Sequence, residues 1–577
     1  MLDAARQAGV AVSAVCNGQG TCHACKFKFT ESTKFESQIE EPTISSLFRR
    51  ENEWLLSCQT RLIDDCGVFF PSDSLATSQR LQLEMSTHHQ ITKSDFFLLD
   101  YSLADDELHD ILLEKKTISD SLFQLSGKSL QIPFEFEETM KKQLREHKPI
   151  TLVCRNEQVF SIRESAQPIL GLAVDVGTTK IAGYLVDLIS GETLTSGGVI
   201  NPQVAYGEDV VSRIAFSNTT LDGLKILHDR LMESINSLTR DICKKANLDH
   251  KQIIEAVLVG NTLMQHFVRE YPVKQLGEAP YKPYSCDPYW IAASKIGLTI
   301  SPNGMAYLPP NVAGFVGGDH IAMLLASLPE NKSGTILALD IGTNTEISLL
   351  TTGKHLACSC ASGPAFEGSR IKDGMRALPG AIERVFVSGD TIQVQTVDDQ
   401  PALGICGSGI LDAVAEFYRT GRIDSRGRIV KKRGVDKITK INLVEPDRSG
   451  TGREISIYQN DINEIQLAKA AIRSGIDTLL RKQGIPYTQI DQIIIAGAFG
   501  TYIDVENAIR IGMLPPIDPK KIAQLGNAAG GGAKQLLLSA RKRDQGLTMS
   551  SRIEYLELML CPDYMDLFVD SINFPIE

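Results

Sequence analysis

Residues Leu172–Leu185 read LAVDVGTTKIAGYL, and residues Leu337–Leu350 read LALDIGTNTEISLL. In each stretch an apolar run ends in an aspartate, a D-x-G-T turn follows, and a second apolar run returns, the pattern of a buried β-hairpin with a polar tip. Such a tip suits phosphate. Glycine lets backbone N–H groups approach an anion, the threonines add donors, and the aspartate can hold Mg²⁺ directly or through water. One copy would be an ordinary hairpin about one time in three and a pair about one time in twenty. The two copies keep Asp175/Asp340, Gly177/Gly342 and Thr178/Thr343 in register, which predicts a duplicated fold with two hairpins facing one nucleotide.

The sequence around the hairpins repeats as well. After the first come NPQVAYGEDVVSRI (201–214), an amphipathic helix with Leu224, Leu227, Leu231, Ile235, Leu238 and Ile242 on one face, and the strand AVLVGN ending at Gly260 and Asn261. After the second come a helix running from Ile465 to Leu479, capped by Gly484, and the strand QIIIAGAFG. Spacings of three and four mark one helix face packed on a sheet. Strand, strand, helix, strand and glycine turn, twice over, predict two similar α/β lobes with a cleft between them.

At 577 residues the chain needs several domains. Its formal net charge of −11 argues against nucleic acid or an anionic membrane as the main partner. The opening LDAARQAGV has no basic n-region or apolar h-region, and no apolar run approaches the ~18 residues of a span. A cytoplasmic protein is expected. Twelve cysteines are too sparse for a disulfide scaffold, so their spacing carries the information.

That spacing is VCNGQGTCHAC, with Cys16, Cys22 and Cys25, and a distant Cys58 in WLLSCQT. It is one loop residue longer than the plant-type [2Fe–2S] arrangement. Gly18 and Gly20 let the loop wrap a cluster and point N–H groups at sulfur. Structural zinc usually takes two C-x₂-C knuckles, and one is present here; zinc and free thiols stay as the alternatives. His23 reads as a loop residue and Cys66 as a packing one. The segment resembles a plant-type ferredoxin domain up to about residue 72. Such domains open with a β-hairpin before the helix, whereas this chain begins at the helix, so either the start is trimmed or two strands are lost. A polar linker is expected over 73–90, where His88 and His89 read as solvated, and a small middle domain without evident chemistry, a spacer or docking unit, over 91–167.

From about Ile169 onward the chain resembles the ATPase fold shared by actin, heat-shock chaperones and sugar kinases, an RNase H-like fold in two lobes, expected over about 168–334 and 335–577. Beyond the hairpins, VGNTLMQHF (259–267), GFVGGDH (314–320), ASGPAFEGSRIKDGM (361–375), GICGSGILD (404–412) and IIIAGAFGTYID (493–504) carry the likeness. With the N-terminal ferredoxin it resembles the reductive activators of corrinoid proteins. The resemblance implies an ATP-hydrolysing enzyme that passes one electron from its [2Fe–2S] cluster to Co(II) of a corrinoid protein, restoring Co(I) for methyl transfer. A plant-type cluster sits near about −400 mV, and a shortfall of about 200 mV would cost about 4.6 kcal/mol, so the transfer needs a push from ATP.

In this reading Asp175 and Asp340 serve Mg²⁺ and water, while Gly177, Thr178, Thr179, Lys180, Gly342, Thr343 and Asn344 surround the β- and γ-phosphates. Gly407, Ser408, Gly409, Gly497, Gly530 and Gly531 pass under the adenosine, where a side chain would block the backbone. The partners implied are a corrinoid protein of a methyltransferase system and an upstream electron donor (flavodoxin, ferredoxin or reductase); a homodimer is left open. The rivals are an ATP-driven electron donor to another low-potential acceptor such as an acyl-CoA dehydratase, a small-molecule kinase, and a redox carrier without hydrolysis. The fused ferredoxin argues against a kinase, and two intact phosphate hairpins argue against a plain carrier.

Overall fold

The computed structural model describes residues 1–8, 10, 12, 25–30, 35–37, 54–62, 65–70, 92–102, 111, 117–146, 148, 150–163, 168–328, 334–430, 439–497 and 499–576. Cys16, Cys22, His23, His88, His89 and the expected linker lie outside them.

The two hairpins form as expected. The strands Leu170–Val176 and Lys180–Asp187 pair antiparallel, and so do Ile336–Ile341 and Thr345–Leu350. Each pair lies inside a six-stranded sheet. In the first sheet the order is Thr193–Ile200, Lys180–Asp187, Leu170–Val176, Ile253–Gly260, Met305–Leu308, Tyr289–Ala292. The second sheet runs Ile522–Gly526, Gln492–Ala496, Ile336–Ile341, Thr345–Leu350, His355–Cys360, Ile553–Tyr555. Counting from its own first hairpin strand, each sheet has an antiparallel second and third strand on one side. A parallel fourth and fifth lie on the other. The duplication seen in the motifs is therefore a duplication of topology.

The helices follow their apolar faces. Gly223–Lys245 buries Leu227, Leu231, Ile235, Leu238 and Ile242 against the first sheet, and Gln459–Gln483 ends at Gly484, which takes the left-handed conformation at φ 68°. Two further helices, Gly318–Ser327 and Ala528–Leu538, pack tightly on each other in the layer between the sheets. A Cβ on Gly532 would lie 1.9 Å from the Ala322 carbonyl oxygen, so only glycine permits this approach. One apolar cluster joins Ala173, Val257, Ala338 and Ile494 of the two sheets through these helices. It is the apolar core shared by the two lobes.

The middle domain is a three-stranded sheet of Phe96–Tyr101, Ile150–Arg155 and Gln158–Arg163 with the helices Ile118–Ser126 and Phe134–Arg145. It is bound firmly to the lobes. Arg155 makes a two-pronged ion pair with Glu255 of the first sheet at 2.6 and 3.0 Å, and Arg543 reaches the same carboxylate at 2.9 Å. Asp95 accepts hydrogen bonds from Ser539 Oγ and the Ala540 N–H at 3.0 and 2.8 Å, and so caps the helix Ala540–Arg552. Phe96 and Val153 enter the apolar core shared by the lobes. Among the described residues no helix is long and apolar enough to cross a membrane.

Candidate functional site

Both hairpin tips open into one cavity of about 280 Å³ between the lobes. Asp175, Gly177, Thr178, Thr179 and Lys180 line one wall, and Asp340, Gly342, Thr343 and Asn344 the facing one. The first tip is tight because of Gly177, whose Cβ would lie 2.6 Å from the Lys180 carbonyl oxygen. Gly407, Ser408 and Gly497 also reach the cavity. Gly497 stands at φ +88°, and a Cβ there would sit 2.8 Å from Asp340 Oδ1, so this turn can close on the second hairpin only as glycine.

Three of the predicted glycines lie elsewhere. Gly409, Gly530 and Gly531 do not line the cavity. Gly409 makes room for the Ile382 carbonyl, 2.1 Å from where its Cβ would be, and Gly530 makes room for the Tyr184 hydroxyl at 2.5 Å. Gly531 lies inside the helix Ala528–Leu538, donating to the Asn527 carbonyl at 3.2 Å. Gly409 and Gly530 each follow a lining residue in sequence, but the helical turn points them at the protein.

Side chains that the motif reading did not assign complete the site. Asn527 caps the helix Ala528–Leu538 and donates to Asp175 Oδ2 at 3.0 Å; Asn261 caps Thr262–Val268 and donates to Thr178 Oγ1 at 2.8 Å. The Thr343 hydroxyl donates to the Glu367 carboxylate. Asp319, in the first turn of Gly318–Ser327, and Glu346, in the return strand of the second hairpin, add two carboxylates to the lining. GFVGGDH and AVLVGN were visible as segments, yet nothing in one sequence marks Asp319 or Asn261 as facing this cavity.

Charge in the cavity is concentrated and poorly solvated. Burial first, and then Asp175, pushes Asp340 up to about 7; burial pushes Asp175 up to about 6 against the Asn527 hydrogen bond. Asp319 is raised well above the ordinary carboxyl range by burial and by Asp340 and Asp175, and Glu346 by burial, Asp319 and Asp340. Burial holds Lys180 down at about 8, although Glu367 opposes it. Carboxylates pressed together in this way favour a bound cation. The far end is apolar, with Phe366 and Phe499 stacked at 4.6 Å beside Ala377 and Val397.

In the ferredoxin segment the structure brings two of the four predicted cysteines together. Cys25 precedes the strand Lys26–Phe29, Cys58 sits in the turn Ser57–Gln59, and the Ser57 N–H donates to the Cys25 carbonyl at 2.8 Å. Chiefly through the Cys58 thiol, the Cys25 thiol is pulled down to about 5 despite burial. A thiol so easily ionised is a fit ligand for iron. Cys66 packs among Phe27, Phe29 and Val68, and burial raises its thiol, in keeping with a packing role.

Comparison with known proteins agrees with this geometry. The family model described as a 2Fe-2S iron-sulfur cluster binding domain matches residues 1–62, "RACo middle region" matches 170–330, and "C-terminal domain of RACo the ASKHA domain" matches 334–577. A corrinoid activation enzyme, RamQ, of Eubacterium limosum is 30% identical over 99% of this chain and 95% of its own length. The chain belongs to the reductive activators of corrinoid proteins. A solved reductive activator for a corrinoid, iron-sulfur protein is 31% identical, covers 100% of this chain and 95% of its own, and superposes with a TM-score of 0.74. A further activator, the [Co(II) methylated amine-specific corrinoid protein] reductase of Methanosarcina barkeri, is 27% identical over 68% of this chain and 74% of its own length.

Proposed function

We infer that this protein is an ATP-dependent reductive activator that returns the Co(II) of a corrinoid protein to Co(I). The observation that carries the reading is the cavity, which takes both phosphate hairpins of a chain that also holds a ferredoxin segment. When bound at Cys16, Cys22, Cys25 and Cys58, a [2Fe–2S] cluster supplies the electron. The chain's own residues handle the nucleotide.

Gly177 to Thr179 and Gly342 to Asn344 hold the β- and γ-phosphates from opposite walls, so that binding ATP draws the lobes together. Asp175 and Asp340 would hold Mg²⁺, which would supply positive charge beside the phosphates, and Asn527 fixes the rotamer of Asp175. Asp319, close enough to both for their charges to raise it, orients the attacking water. Phe366, Ala377 and Val397 exclude water from the base. Because phosphoryl transfer is catalysed by positioning and charge, this constellation can hydrolyse ATP without a covalent intermediate. A flavodoxin, ferredoxin or reductase upstream and a cytoplasmic setting complete the proposal.

The test is anaerobic. The visible spectrum of purified Co(II) corrinoid proteins is followed with a reductant, with and without ATP. Conversion to Co(I) only when ATP and this protein are both present is expected. No conversion of any corrinoid protein, together with phosphorylation of a small metabolite, would move the assignment to a kinase.

A further inference from the structure

The segment NPQVAYGEDVVSRI carries Arg213 as its next-to-last residue, on the helix Val210–Thr219, and its side chain is 0% exposed. Its guanidinium donates to the Gly207 carbonyl at 2.8 Å, to Gln203 Oε1 at 3.2 Å and to the Thr178 carbonyl at 2.5 Å, with Met264 Sδ at 3.7 Å. None of these is a carboxylate. Asp209 and Glu208 act on it only from a distance, and Asp209 is engaged in capping the helix through the Ser212 N–H at 2.7 Å. A cation removed from water without a bonded counter-ion is costly, and proteins keep such a group only where something compensates it.

What it grips shows where the compensation lies. Thr178 is the tip of the first phosphate hairpin. Asn201 Nδ2 holds the neighbouring Gly177 carbonyl at 2.9 Å, and the Asn201 N–H holds that of Thr179 at 2.9 Å. Three successive carbonyls are thus drawn back into the protein. A trans peptide sets each following N–H opposite its carbonyl, which turns the N–H groups of Thr178 and Thr179 to the cavity they line. Behind the second hairpin the corresponding donors are neutral: the Ser362 hydroxyl, 3.3 Å from the Gly342 and Thr343 carbonyls, and the Gly363 N–H, 3.0 Å from the latter.

We propose that Arg213 is a positioning residue for the triphosphate: it presets the first hairpin as an anion cradle, and the phosphate chain bound on the other side of that tip adds counter-charge that its own hydrogen bonds do not supply. This rests on the reading of the cavity as an ATP site. It makes the two hairpins unequal, the first carrying a fixed positive charge and the second only neutral donors.

The experiment is calorimetric titration of the full-length wild type, Arg213→Met and Arg213→Lys with ATP, ADP and AMP, together with steady-state ATP hydrolysis. Arg213→Met should lose on the order of tenfold in its preference for ATP over AMP, with ADP between, because the lost attraction scales with phosphate charge. Arg213→Lys keeps the charge but not the three-way grip, so it should retain that preference within about twofold while kcat falls. Equal weakening of all three nucleotides in Arg213→Met, or no weakening, would overturn the proposal, as would loss of the preference in Arg213→Lys. If Arg213→Met does not fold, Arg213→Lys decides by the same ratio. Wild type that binds no ATP would instead overturn the cavity assignment.

Discussion

Replacing Glu255 by glutamine tests whether the middle domain is joined to the ATPase by buried charge. Glu255 is 0% exposed, and the Arg155 and Arg543 side chains that share it are 5% and 11% exposed. Removing one partner of such a buried set costs about 3–5 kcal/mol, because a guanidinium is left in the interior without its anion. Here the lower end applies. Arg155 also lies over the rings of Phe96 and Phe160 at 4.7 and 4.4 Å, and Arg543 over Trp290 and Tyr307 at 4.9 and 4.5 Å, and these contacts survive the substitution. About 3 kcal/mol corresponds to roughly 150-fold in an opening equilibrium. Hydrogen exchange of the strand Ile150–Arg155, read by mass spectrometry, measures that opening directly. Asp229→Asn, which breaks the exposed Lys225–Asp229 pair, with side chains 63% and 55% exposed, is the control and should change exchange by less than about threefold. Arg155→Met combined with Glu255→Gln should be less unstable than the sum of the single changes, since the second removes a charge the first left stranded. Equal protection in Glu255→Gln and in the control would refute the reasoning.

Three other outcomes follow from the site. Cys22→Ala or Cys58→Ser should lower iron from about two per chain toward zero and abolish corrinoid reduction while ATP hydrolysis continues; iron unchanged by both, or zinc in its place, would exclude the cluster. Asp175→Asn and Asp340→Asn should each slow hydrolysis on the order of 10² to 10³-fold, since the phosphoryl charge is handled electrostatically, with steady-state phosphate release as the measurement. Folding raises these two carboxyls from 3.8 to about 6 and about 7. The stability they contribute is therefore full below pH ~4 and lost as pH rises through 6 to 7. Without Mg²⁺, Asp340→Asn should gain thermal stability relative to wild type between pH 4 and 8, and added Mg²⁺ should stabilise wild type more at pH 8 than at pH 5.5. A difference between variant and wild type that does not vary with pH would contradict this assignment of charge.

The lobes were legible because their signal is local. A D-x-G-T turn between apolar runs specifies a hairpin from fourteen consecutive residues, and its recurrence gave the duplication before any contact was known. The helix faces obeyed the same rule: Leu227, Leu231, Ile235, Leu238 and Ile242 are buried as their spacing requires. The middle domain was harder to read. Arg155 sits in ITLVCR, where a strand-end arginine ordinarily meets solvent; its partner Glu255 stands 100 residues away, and Arg543, which shares that carboxylate, nearly 400. No periodicity reports a pairing of that kind.

The same physics separates the parts of the site that were found from those that were missed. Glycines and aspartates in a turn advertise their role, because the turn itself demands them. Gly409 and Gly530 advertise the same need for space, and they do need it, but what approaches is the Ile382 carbonyl or the Tyr184 ring rather than a nucleotide. A missing Cβ records that something comes close without recording what. Asn261 and Asn527 carry the converse ambiguity: each looks like an ordinary helix cap and is one, with its Oδ1 on the Met264 or Gly530 N–H at 3.0 or 2.7 Å. Capping uses only the oxygen. The amide nitrogen left over is what reaches Thr178 or Asp175, so the helices Thr262–Val268 and Ala528–Leu538 both begin at the first hairpin. Because Ala528–Leu538 also packs in the apolar cluster that joins the lobes, the bond from Asn527 to Asp175 ties the set of one cavity carboxylate to the packing between the lobes.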